Sequence, residues 1–299
     1  MNWKTPQSLT RNSQIGGQDL SEIEFISGIE LWQAVLLTVV SGLVGVLGGF
    51  VGLALGTIRL PAMLLLGMPP AVAGGTNILV SGLASLSGAA RHLRDGRVNT
   101  RIVLVMGLPA FVGALVGGFM SDIAPAGLLI FLAGLLVFWQ GVEFLIMARE
   151  RMQEETHEAN LFGGEMTGSA GTFTFWRQIE TGGIGLGVGL LGGAVGLILG
   201  SIRLPALIRV LRVDPRIAAG TNLFIGVLIG ASGWVGHVLK GEVDYALLIP
   251  MGIAAMIGSY YGAKLTGRVR LVNLILAMGL VLLAVGGILT VRGAGTLFF

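Results

Sequence analysis

Cysteine is absent from this chain, which removes disulfide scaffolds, thiolate metal sites and cysteine nucleophiles together. Charge is scarce too: Asp, Glu, Lys and Arg make up 12% of the 299 residues, against about 25% in a typical soluble domain. A chain this poor in charge cannot cover a water-facing surface. Only three histidines are present, and they are too scattered in the sequence for an acid–base or metal cluster. Neither an enzyme nor a bound cofactor or metal is therefore expected. Met1–Gly28 lacks the basic stretch and apolar core of a cleavable signal peptide.

What the chain does have is apolar surface and glycine. Hydrophobic residues make up 54% and the mean hydropathy is +0.85. There are 50 glycines, more than twice the usual ~7%. This composition predicts an all-α polytopic membrane protein, with the lipid bilayer as its surroundings. The net charge of +3 and isoelectric point near 9.7 do not argue for a nucleic-acid partner. The nineteen Lys and Arg are spread over short loops between apolar runs, where they act as topology signals.

The chain also repeats itself. Residues 48–62 read GGFVGLALGTIRLPA and residues 192–206 read GGAVGLILGSIRLPA, with twelve identities in fifteen. After a one-residue insertion, Pro70 pairs with Pro215 and Gly75-Thr76-Asn77 with Gly220-Thr221-Asn222. His92 then pairs with His237, and Gly113 and Gly117 with Gly258 and Gly262. Fixed-period self-similarity of this kind defines a duplicated unit. The expected organisation is a polar tail (1–30), a first transmembrane repeat (31–148), a charged cytoplasmic linker (149–181), a second repeat (182–292) and a short C-terminal tail (293–299).

Each copy divides alike. A first apolar run (31–55 and 182–199) ends in the glycine-rich break, and a short apolar piece follows (60–68 and 204–211). Three longer runs come next, at 70–93, 101–120 and 126–147, and at 215–239, 245–264 and 271–291. Each is near the ~20 residues needed to span a bilayer. The short piece is not, so it is expected as half of a broken or re-entrant helix. Arg91, Arg94, Arg97 and Arg101 crowd one loop of the first copy, whereas the equivalent loop of the second holds Lys240 with Glu242 and Asp244. Thirteen of the nineteen cations fall on one side if equivalent loops face opposite sides. By the positive-inside rule that side is the cytoplasm, and both termini lie outside.

Inverted repeats with paired broken helices are a transporter plan, with the site near the midplane where the repeats meet. A duplicated bundle with a purely structural role is the alternative. Arg59 and Arg203 are the leading site candidates. Each lies inside the most closely matched segment, where an arginine in hydrocarbon needs a counter-charge, a cavity or the interface. No carboxylate is near in sequence, so an anionic substrate gripped by the guanidinium fork is one reading. Snorkelling, or bonding to carbonyls freed by the break, is the other. Thr76, Asn77, Thr221 and Asn222 are expected to face a shared cavity, about 9 Å in from Pro70 and Pro215 at ~1.5 Å per residue. Interhelical hydrogen bonding is the competing role for them. Gly56 and Gly200 close the glycine stretches and offer backbone N–H groups that can hold an anion. The Gly-x-x-x-Gly pairs read as packing faces. An anion leaving a cell is driven by the membrane potential at about 2.3 kcal/mol per charge per 100 mV, so export needs no coupling ion.

The glycine-rich break, Leu-Pro-Ala, and Leu66-Gly67-Met68-Pro69-Pro70-Ala71-Val72-Ala73-Gly74-Gly75-Thr76-Asn77 together resemble the TauE/SafE sulfite exporter family. So does the stretch from Ser87-Gly88 to Asn99. The resemblance covers about 30–292. It implies a multi-pass plasma-membrane carrier of a prokaryote that exports small sulfur-containing anions such as sulfite or organosulfonates. An anion channel, or a carrier of another small carboxylate or oxyanion, is the alternative, and a homodimer is an open arrangement. Many members carry an apolar residue where this chain has Arg59 and Arg203, and Thr-Ser where it has Thr-Asn.

Overall fold

The computed structural model describes residues 27–121, 123–158, 175–211, 213–265 and 272–298. They form ten helices: α1 (Leu31–Val51), α2 (Gly56–Leu65), α3 (Pro70–Arg94), α4 (Thr100–Phe119), α5 (Ala126–Glu158), α6 (Phe175–Val195), α7 (Gly200–Pro205, prolonged by a π turn at Ala206–Val210), α8 (Pro215–Val238), α9 (Tyr245–Leu265) and α10 (Val272–Phe298). Six of them, α1, α4, α5, α8, α9 and α10, are long and apolar enough to cross a membrane. The expected N-terminal tail up to residue 26 and the middle of the expected linker, 159–174, lie outside the described residues.

Helix starts follow local chemistry. Pro70 and Pro215 open α3 and α8, where a missing N–H costs nothing. Asp214 caps α8 by accepting from the amides of Arg216 and Ile217, and Asn99 caps α4 by accepting from Ile102. Three helices outrun their apolar stretches, and one of them is α10, which has no proline to end it and runs through the expected C-terminal tail to Phe298. α5 continues from the expected end near 147 to Glu158, because Ala148–Glu158 is rich in Arg, Glu, Met and Gln and holds no Gly or Pro. α6 begins at Phe175 rather than at Gly182.

The two copies interleave. α1 packs along α9, the fourth helix in the other copy's order, and α6 packs along α4 in the equivalent way. Small residues make both contacts close. A Cβ on Gly262 would lie 1.9 Å from the carbonyl oxygen of Val46, and one on Gly258 would lie 2.3 Å from that of Gly42. Gly113 and Gly117 meet Leu186 and Leu190 in the same way, at 2.2 and 2.1 Å. Both Gly-x-x-x-Gly pairs are therefore packing faces. In both pairings the helices run parallel, since higher residue numbers meet higher ones. At the centre α3 crosses α8 antiparallel, with Gly82 against Gly230 and Ser85 against Gly226. α5 and α10 also pair antiparallel, Gly134 meeting Thr290 and Gly286 meeting Phe138.

The two breaks are built alike. α1 stops at Gly52, whose φ of 79° is left-handed, and Leu53–Leu55 continue without helical form. α6 stops in the same way before Gly196, also at φ 79°. Neither position tolerates a side chain: a Cβ on Gly52 would sit 2.2 Å from Cβ of Ala219, and one on Gly196 would sit 2.1 Å from Cα of Gly74. Each break is thus pressed against the first turns of the other copy's central helix. Leu53, Leu55, Leu197, Ile198 and Leu199 are all buried.

Candidate functional site

The paired breaks converge on two asparagines. Asn222 in α8 donates through Nδ2 to the carbonyls of Gly52 (2.9 Å) and Gly200 (3.2 Å), so one amide holds both breaks. Asn77 in α3 donates to the carbonyl of Gly196 at 2.8 Å. Breaking a helix frees carbonyls that lipid cannot satisfy, and these amides supply the missing donors. Gly56 and Gly200 leave room for them: a Cβ on Gly200 would lie 2.9 Å from Asn222 Nδ2, and one on Gly56 would lie 2.9 Å from Asn77 Nδ2 and 2.2 Å from Ser81 Oγ.

Arg59 and Arg203 project from the short helices just beyond the breaks and are 1% and 0% exposed. Such burial excludes snorkelling to an interface in this conformation. Arg59 donates through Nη2 to Ser81 Oγ at 2.9 Å, and Arg203 through Nε to Asn222 Oδ1 at 3.0 Å. Among the described residues the rest of each guanidinium is unpaired. Nε and Nη1 of Arg59, and Nη1 and Nη2 of Arg203, have no hydrogen-bond partner, and among the described residues neither arginine forms an ion pair. Burying a charge in this way costs several kcal/mol unless something compensates it. Thr57 Oγ1, Asn77 Oδ1 and Ser85 Oγ are also buried without partners. A cavity of about one water's size lies beside Arg59, lined by Val44, Gly48, Leu55, Ser85 and Ser259 among others.

The structure does not bring the two threonines together. Thr76 Oγ1 accepts from the amide of Asp244, at the start of α9, at 3.0 Å. Thr221 Oγ1 accepts from the amide of Asn99, at the start of α4, at 2.9 Å. These loops lie at opposite ends of α3, so the threonines brace opposite ends of the molecule. The central helices run antiparallel, so equal depth from each helix start means opposite places in the bundle. Of the four polar residues, the asparagines alone reach the breaks. Ser81 and Ser85 carry no mark in the duplication, because Gly226 and Gly230 occupy their places in the second copy. Ser81 is nonetheless one turn beyond Asn77 on the same helix face.

Comparison with known proteins gives this architecture a class. Residues 37–289 match the model of the family described as sulfite exporter TauE/SafE. Two proteins of Bacillus subtilis (strain 168) are similar over most of their length. Probable membrane transporter protein YdhB is 29% identical over 77% of this chain and 89% of that protein. Probable membrane transporter protein YunE is 24% identical over 84% of this chain and 95% of its own. A third, probable membrane transporter protein ORF9 of Sinorhizobium sp, is 38% identical over 25% of this chain and 28% of its own. No solved structure matches the chain. The molecule is a multi-pass membrane transporter, not an enzyme, and its relatives are bacterial. It belongs to the sulfite exporter TauE/SafE family.

Proposed function

We propose that this chain exports small anions, with sulfite and organosulfonates as the substrate class, through a site between two inverted-topology repeats. One observation carries the reading: two fully buried arginines, one from each break, keep unpaired N–H groups and, among the described residues, meet no carboxylate. An oxyanion supplies what both lack, charge and planar pairs of acceptors. The family match supports the sulfur-anion class. Inversion is supported by the antiparallel crossing of α3 with α8 and the parallel run of α1 with α9. In a same-sense duplication both directions would be reversed. Asn77, Asn222, Gly56 and Gly200 shape the site around the arginines, and Thr76 and Thr221 brace opposite ends of the molecule around it.

The test is Arg59→Gln and Arg203→Gln, with sulfite or sulfonate flux measured per correctly inserted molecule in proteoliposomes. A charge-assisted hydrogen bond is worth about 1.5–3 kcal/mol, so affinity should fall about ten- to hundredfold. Lysine should restore part of it, since a point charge lacks the fork. Normal flux in both glutamine variants would remove the arginines from the site.

A further inference from the structure

Away from the arginines, the second copy buries a titratable cluster that anion binding does not use. His237, in the last turn of α8, is fully buried. Its Nδ1 lies 2.8 Å from Glu242 Oε2, and its Nε2 lies 2.9 Å from the carbonyl oxygen of Gly193. Glu242 also lies 2.7 Å from Ser121 Oγ, at the end of α4, and its amide donates to the carbonyl of His237. Two other charged groups stand near this cluster. Lys240 donates to the carbonyl of Phe119, and Asp244 accepts from the amide and hydroxyl of Ser27.

Proton counting makes the cluster informative. A carbonyl oxygen only accepts, and so does a carboxylate. An imidazole with an acceptor at each nitrogen needs a hydrogen on both. His237 and Glu242 therefore hold two protons between them, one more than a neutral imidazole beside a carboxylate. Remove one, and a ring lone pair faces either the Gly193 oxygen or the Glu242 oxygen, and that contact opens. Glu242 favours the ionised form. Burial alone would raise its pKa, but hydrogen bonds from His237 and Ser121 and the charge of Lys240 outweigh burial and lower it. Gly193 stands in the last turn of α6, three residues before the left-handed Gly196. The first copy lacks the device: counted on from the paired His92 and His237, Gly96 stands opposite Gly241 and Arg97 occupies the place of Glu242.

We propose that His237 and Glu242 form a proton-binding site that latches the second helix break, so that losing one proton frees the end of α6 and changes transport. The link to transport rests on the proposed anion site; the proton site itself does not. The full-length protein is labelled with ¹⁵N-histidine in detergent micelles and titrated over about pH 5–8, the range of histidine switching. The signal lost in His237→Asn assigns the ring. Both its nitrogens should read as protonated at the acid end, and one of the two protons should be lost as the pH is raised. In Glu242→Gln the amide NH₂ donates to Nδ1 instead, so the same geometry holds with a neutral ring. This variant should fold normally and show a neutral His237 throughout.

Hydrogen exchange over 193–199, corrected for intrinsic pH dependence, should speed up as the wild type loses its proton and stay constant in Glu242→Gln. Anion flux should then vary up to tenfold per pH unit in the wild type and be flat in the variant. A neutral ring in the wild type throughout, or a doubly protonated ring in Glu242→Gln, would overturn the proton site. Titration of His237 with unchanged exchange at 193–199 would overturn the latch. Absence of flux for every anion tested, with the ring titration and exchange as expected, would count against the transport reading alone.

Discussion

A guanidinium buried without a counter-ion is a debt that either a substrate or a neighbouring carboxylate can settle, and this competition gives a residue-scale prediction. Ser81 accepts the one hydrogen bond that Arg59 makes. Ser81→Asp should place a permanent carboxylate there, leaving the thermal midpoint in detergent equal or higher while transport falls at least about tenfold, the scale of one charge-assisted hydrogen bond. Unchanged affinity in a well-folded Ser81→Asp protein would mean that Arg59 does not meet the anion. The asparagines separate by the number of contacts each makes. Asn222→Ala strands two carbonyls and Arg203 Nε, whereas Asn77→Ala strands one carbonyl. Each unmet buried group costs about 1–3 kcal/mol, so Asn222→Ala should lower the thermal midpoint more. The arginines and asparagines were legible in the sequence because the duplication marks them. Ser81, Ser85 and Glu242 were not, since each stands in one copy only and becomes informative through a partner in another helix.

At the scale of elements, glycine spacing reports which helices touch. Gly262→Ala would push a methyl to within 1.9 Å of the Val46 carbonyl, while a methyl on Gly287 meets nothing within 4 Å. Overpacking of this kind costs about 1–3 kcal/mol, so Gly262→Ala should lower the thermal midpoint and Gly287→Ala should leave it unchanged or raise it. Equal midpoints would mean that α1 and α9 do not pack as described. Helix positions were largely readable beforehand, because a spanning helix must be a long apolar run bounded by polar loops. Some ends and the irregular turns were not. Apolar content ends near 147, but helix propensity carries α5 on to Glu158. The π turns at Val103–Gly107 and Ala206–Val210 have no counterpart in hydropathy. The first precedes Pro109, whose ring would crowd a carbonyl four residues back, and a widened turn gives it room.

For the whole molecule, the pairing of one copy's first helix with the other copy's fourth means that neither copy has a complete helical surround alone. The direction of each pairing supports inversion, but it does not say which end faces the cytoplasm; that comes from charge. Arg91, Arg94, Arg97 and Arg101 gather where α3 meets α4, while the loop between α8 and α9 holds Lys240 against Glu242 and Asp244. Positive loops stay inside, from which we infer that the α3–α4 loop and the polar end of α5 face the cytoplasm and the end of α10 faces outside. The cysteine-free chain makes the check direct. A single cysteine at Gly295 should react with an impermeant thiol reagent in intact cells, and one at Gln153 should react only after the membrane is opened. The reverse pattern would turn the molecule over. The His237–Glu242 cluster, beside the α8–α9 loop, would then sense cytoplasmic rather than external pH, while the arginine site between the breaks would be unaffected.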